Sequence, residues 1–195
     1  MADNATKVLG ICGSLREKSY NHALLRAAME LAPPGMTITD YSIAGLPEYN
    51  DDVREKGYPE IVAKLRAAVV AADAILWVTP EYNYSIPGIL KNAFDWCSRP
   101  PGPPLSRKAC AIMSASQSLM GGVRAQYHLR QMLVFTDTLP VNKPEILVMT
   151  AQQKFDANLK LTDENTKNLI KQLLGNLADF AKVVNTHWQP APAKA

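Results

Sequence analysis

Several common signals are scarce or missing in this 195-residue chain. Its three cysteines, Cys12, Cys97 and Cys110, are an odd number set far apart, with no CxxC pair. They form neither a disulfide framework nor a metal-type grouping, and they fit free thiols in a reducing cytoplasm. Histidine is equally sparse: His22, His128 and His187 fall in helix-like segments, and none has a metal-type partner at i+3 or i+4. No apolar run approaches the roughly 18–20 residues that span a bilayer. The opening residues Met1 to Lys7 contain no signal-peptide core. Net charge is only +3, and Lys and Arg never gather in a run of five or six, so nothing argues for nucleic acid. These absences predict a soluble cytoplasmic protein with no membrane or nucleic-acid partner. The slight positive bias could draw in an anionic ligand and serves solubility equally well.

What is present is ordinary globular material: 47% hydrophobic and 20% charged residues, enough for one domain with a substantial core. Apolar runs alternate with helix-period segments. Strands are predicted at Lys7–Cys12, Met36–Tyr41, Ala74–Val78, Lys108–Ser114 and Glu145–Met149. Helices are predicted at Asn21–Ala32, from Tyr58 to about Ala72, at Ile89–Ser98, at Val123–Leu133 and from about Glu164 to Thr186. Pro33-Pro34-Gly35 and the run Arg99 to Pro104 read as helix stops, and Asp51-Asp52 as solvated loop or cap groups. Gln189 to Ala195 reads as a frayed Pro/Ala tail. Continuous apolar strands separated by amphipathic helices predict a parallel sheet covered on both faces, an α/β/α sandwich. The expected topology is the flavodoxin-like order 2-1-3-4-5, with right-handed crossovers.

Ligands in such sheets bind outside the carboxyl ends of the strands. After the first strand comes Gly13-Ser14-Leu15-Arg16-Glu17-Lys18-Ser19-Tyr20-Asn21. Its hydroxyls, the Asn21 amide, the Arg16 guanidinium and the opening amides of the helix can all donate to an anion. It is neither a G-x-x-x-x-G-K-[ST] loop nor a G-x-G-x-x-G fingerprint. The pattern fits a phosphate cradle and equally fits a plain βα turn with a Ser or Asn cap. After the third strand comes Thr79-Pro80-Glu81-Tyr82-Asn83-Tyr84-Ser85-Ile86-Pro87-Gly88, stiffened by proline on both sides, with rings to stack on a flat ligand. After the fourth comes Ser114-Ala115-Ser116-Gln117-Ser118-Leu119-Met120-Gly121-Gly122, small and polar, whose glycine pair would let a ligand approach the backbone. An anion loop beside two polar loops suits a mononucleotide with a planar ring.

At these residues the chain resembles the NADPH-dependent FMN reductase family, most nearly its chromate- and quinone-reducing members. The matching pieces are Gly13-Ser14-Leu15-Arg16 with Ser19 and Asn21, the segment Thr79 to Gly88 with Leu90-Lys91-Asn92-Ala93, and Gly121-Gly122 with Arg124-Ala125-Gln126 and Leu129-Arg130-Gln131. The resemblance implies a flavodoxin-like fold holding FMN without a covalent bond. The phosphate would lie on Ser14, Arg16, Ser19, Asn21 and the intervening residues Leu15, Glu17, Lys18 and Tyr20. Glu81, Tyr82, Asn83 and Tyr84 would line the isoalloxazine, and Ser116 would complete the site. Gln117-Ser118-Leu119-Met120 departs from the glycine-rich form of many relatives.

It further implies NADPH or NADH as co-substrate and a ping-pong reduction of quinones, with chromate, azo compounds or free flavin as other acceptors. No side chain is needed as acid or base. The assembly would be a homodimer or homotetramer, with some of Tyr84, Arg124, Tyr127 and Glu145 bonding across subunits. The rival readings are an electron-transfer flavodoxin and a non-enzymatic flavin-binding module; the +3 charge speaks against the first, since such carriers are usually acidic.

Overall fold

The sheet is built from strands that have little choice but to be internal. In the computed structural model, which describes residues 5–188, every residue of β3 (Ala74–Val78) and of β4 (Ala109–Ala115) is buried. Such runs are stable only with packing on both faces. β1 (Thr6–Cys12) lies between β2 (Met36–Tyr41) and β3, and β3 pairs with β4. All pairings are parallel, and the order is β2-β1-β3-β4-β5, with β5 at Leu139–Pro140. This is the expected flavodoxin-like order.

Alternate residues of each strand point to opposite faces. On one face Leu76 and Val78 join the core formed with α1 (Tyr20–Glu30) and α6 (Glu164–His187). On the other, Ile75 and Trp77 pack with α3 (Glu60–Ala71), α4 (Gly88–Cys97) and α5 (Val123–Phe135). Trp77 is fully enclosed, its ring 4.5 Å from that of Phe94. Among the described residues no helix is long and apolar enough to cross a membrane. The expected tail from Gln189 lies outside the described residues.

Two features differ from the sequence reading. A short helix, α2 (Asp51–Glu55), carries Asp51 and Asp52 in its first turn, where they were expected as solvated loop or cap groups. The Asn50 side chain caps it by accepting from Asp52 N, and Asp51 accepts from both Tyr49 Oη and Arg54 Nε. It buries no residue, so it has no apolar stripe to read. The fifth strand position is also shared by two pieces along one edge of β4. β5 (Leu139–Pro140) lies opposite Ala109 and Cys110, and β6 (Ile146–Val148) opposite Met113 to Ala115. Only the second was anticipated, since two residues are too few to show alternation.

Candidate active site

The order β1-β3-β4 sets three loops beside one another at the carboxyl edge. They enclose a cleft of about 220 Å³. Ser14, Arg16, Ser19, Tyr20 and Asn21 line it from the first loop, Pro80, Glu81 and Tyr82 from the second, and Ala115, Ser116 and Gln117 from the third. Leu15, Glu17, Lys18, Asn83 and Tyr84, expected at the site, are exposed and not among the lining residues. Pro80, Ala115 and Gln117 were not anticipated: none carries a side chain that announces a ligand.

At one end of the cleft, donors are left in hand. Ser19 caps α1, its Oγ accepting from Asn21 N at 3.2 Å and His22 N at 3.4 Å. Ser14 Oγ accepts from Arg16 N at 3.3 Å. Both hydroxyls are thus used as acceptors, and each keeps its own proton to donate, although Ser14 and Ser19 are only 2% and 3% exposed. The first turn of α1 contains no acidic residue to offset its positive end. Arg16 has no acidic partner among the described residues. Buried hydroxyl donors and an unpaired guanidinium, beside a helix start with no acidic residue, form a donor set that an anion such as a phosphate satisfies.

Two residues here do something the sequence did not reveal. The Asn21 side chain, expected to donate to the anion, is buried and bonded twice to the end of β4. Its Nδ2 donates to Ala115 O at 3.0 Å, and Ala115 N donates to its Oδ1 at 2.9 Å. It fixes the first loop against the third. His22, which the sequence placed only in a helix-like segment, reaches the Ser14 carbonyl at 2.7 Å. A carbonyl only accepts, so Nε2 carries the proton and holds the loop's shape.

The other end is rigid and flat-sided. Tyr82 and Ser85 exchange two backbone hydrogen bonds, of 2.9 and 3.0 Å, across a two-residue turn. Asn83 (φ 50°) and Tyr84 (φ 67°) both occupy the left-handed region. The Glu81 carboxylate accepts from Arg124 N and Arg124 Nε at the start of α5. Ser116 N donates to Val148 O, and its Oγ accepts from Ser118 N.

The glycine pair of the third loop was expected to admit a ligand. The structure assigns it to packing: a Cβ on Gly121 would lie 2.9 Å from the Leu147 backbone, and one on Gly122 2.7 Å from Ser114 Cβ. Both also have positive φ, 58° and 86°. All three thiols are buried, and burial pushes each up to about 12. They are packing groups.

Comparison with known proteins bears on this architecture directly. Residues 6–153 match the family described as NADPH-dependent FMN reductase. The chain belongs to that family. It is 54% identical over 168 residues to an NAD(P)H-dependent FMN reductase of Pseudomonas aeruginosa, covering 86% of this chain and 91% of that one. It is 41% identical over 181 residues to a quinone reductase of Escherichia coli K12, covering 91% and 95%. Among solved structures it is similar to the flavoenzyme FerB of Paracoccus denitrificans, an NAD(P)H:(acceptor) oxidoreductase. The TM-score there is 0.81 at 33% identity, covering 93% of this chain and 98% of that one. The segment that matches the FMN reductase family contains all three loops of the cleft and ends just after β6.

Proposed function

We propose that the chain is an FMN-dependent oxidoreductase, one FMN-binding domain that transfers electrons from NADPH or NADH to quinones. The observation that carries this reading is the pairing, in one cleft, of an anion end with unspent donors and a rigid ring end. FMN has the matching shape: a phosphate at one end and a planar, polar-edged ring at the other.

The phosphate would accept hydrogen bonds from the Ser14 and Ser19 hydroxyls and the Arg16 guanidinium, at the positive end of α1. Asn21 and His22 would hold that loop in shape from behind. The ring would lie against Pro80 to Tyr82 on one side and Ala115 to Gln117 on the other. The chemistry that bound FMN supplies is hydride acceptance from a nicotinamide and two-electron delivery to an acceptor, in two half-reactions that share one open face. The protein's part is to bind, orient and exclude. No side chain is assigned a proton-transfer role, and the one carboxylate lining the cleft, Glu81, is engaged by Arg124.

Quinones are the acceptor this reading favours, because a quinone takes two electrons in one step. Chromate, azo compounds and free flavin are further acceptors for the same open face. Assembly as a homodimer or homotetramer, in the cytoplasm, belongs to the same reading. The test is spectroscopic. The protein purified with FMN should be yellow, bleach with NADPH or NADH in the absence of oxygen, and recolour on adding a quinone. A protein that retains flavin but does not bleach would point instead to a flavin-binding module without this activity.

A further inference from the structure

The hairpin at the ring end is held in an unfavourable backbone conformation. Two-residue turns of this hand suit Asn-Gly, because both central residues need positive φ. Here the second is Tyr84, at φ 67°, where its Cβ crowds the following carbonyl. Such a conformation persists only when its surroundings impose it.

The surroundings are two tethers from α5. The first is Glu81, whose side chain is 8% exposed although it stands on the cleft wall. Its carboxylate accepts from Arg124 Nε at 2.6 Å and Arg124 N at 3.0 Å, and from Ala125 N at 3.4 Å, while Arg124 Nη2 lies 2.6 Å from it. A negative charge there also suits the helix start. So fixed, the Arg124 guanidinium lies 3.6 Å from the centre of the Tyr84 ring, covering one face of it. The second tether is His128, whose Nδ1 is 3.0 Å from Ser85 Oγ.

We propose that Glu81 is a positioning residue for the ring end of the cleft. Acting through Arg124, it keeps the Asn83–Tyr84 turn left-handed and so holds Tyr82 on the cleft wall, and its carboxylate does not meet the ligand. The inference rests on the FMN reading above and names the residue that presets the ring site.

The experiment is an FMN titration by fluorescence quenching, with thermal melts of the FMN-free proteins alongside. Glu81→Ala should raise the Kd for FMN about tenfold, the scale of a small misplacement of a binding wall. Glu81→Gln, whose amide oxygen can still accept from the Arg124 and Ala125 amides, should fall between wild type and Glu81→Ala. Tyr84→Gly added to Glu81→Ala should recover part of the affinity, because glycine adopts the turn freely. Should Glu81→Ala not fold, Arg124→Met removes the clamp from the other side and should weaken FMN similarly. Wild-type affinity in a folded clamp variant, or a loss that Tyr84→Gly leaves untouched, overturns the proposal. A wild-type protein that does not bind FMN at all overturns the FMN reading instead.

Discussion

Arg16 is the residue at which charge and function meet most plainly. It lines the cleft, no acidic side chain among the described residues pairs with it, and it stands beside the start of α1, whose first turn has no acidic residue. A charge-assisted bond to phosphate at such a place contributes more than a neutral one. Arg16→Ala should therefore raise the Kd for FMN by about tenfold while leaving the melting temperature of the FMN-free protein unchanged, as a titration and a thermal melt would show. The thiols make the opposite case. Burial pushes the Cys12, Cys97 and Cys110 thiols from 9.0 up to about 12, which leaves little of the reactive thiolate near neutral pH. Iodoacetamide at pH 8 should leave all three unmodified in the native protein and label all three in denaturant. Prompt labelling of any of the three in the native state would contradict this.

At the scale of elements, stability depends on how helices are ended as well as on the core. The last helix, α6, begins at Asp163, whose carboxylate accepts from Thr166 N and from Lys154 Nζ. Lys154 and Thr166 lower its pKa from 3.8 to about 2. A carboxyl that holds its proton less tightly in the folded state stabilises the fold fully above its unfolded value. That contribution fades as pH falls from about 3.8 towards 2. Asp163→Ala should cost about 1 kcal/mol at neutral pH, and the difference from wild type should shrink as pH falls from about 3.8 towards 2, measured by urea midpoints across that range.

Elements were legible in the sequence where they bury something. β3 and β4 announce themselves as apolar runs, and α6 by its stripe of Ile170, Leu173, Leu174 and Leu177. α2 and β5 were not legible, because one buries nothing and the other is two residues long. In the cleft, the serines and Arg16 could be read as a loop of donors. The roles of Asn21, Glu81 and the glycine pair could not. Each is decided by a partner far along the chain: Ala115 for Asn21, Arg124 for Glu81, Leu147 for Gly121. A one-dimensional pattern shows that a polar group is available and not who claims it.

For the whole molecule, the fold's contribution is placement. Parallel pairing aligns β1, β3 and β4 so that three otherwise unremarkable loops share one edge. The anion end comes from the start of α1 and the ring end from a hairpin tied to α5, so in the proposed reading the two halves of FMN would be read by different parts of the chain. This division gives the account its most direct test, equilibrium binding of FMN and of riboflavin to the purified protein, followed by flavin fluorescence. The two ligands share the ring and differ in the phosphate. The account predicts one FMN per chain, bound at least about tenfold more tightly than riboflavin. Equal affinities for the two, or no binding of FMN, would contradict it.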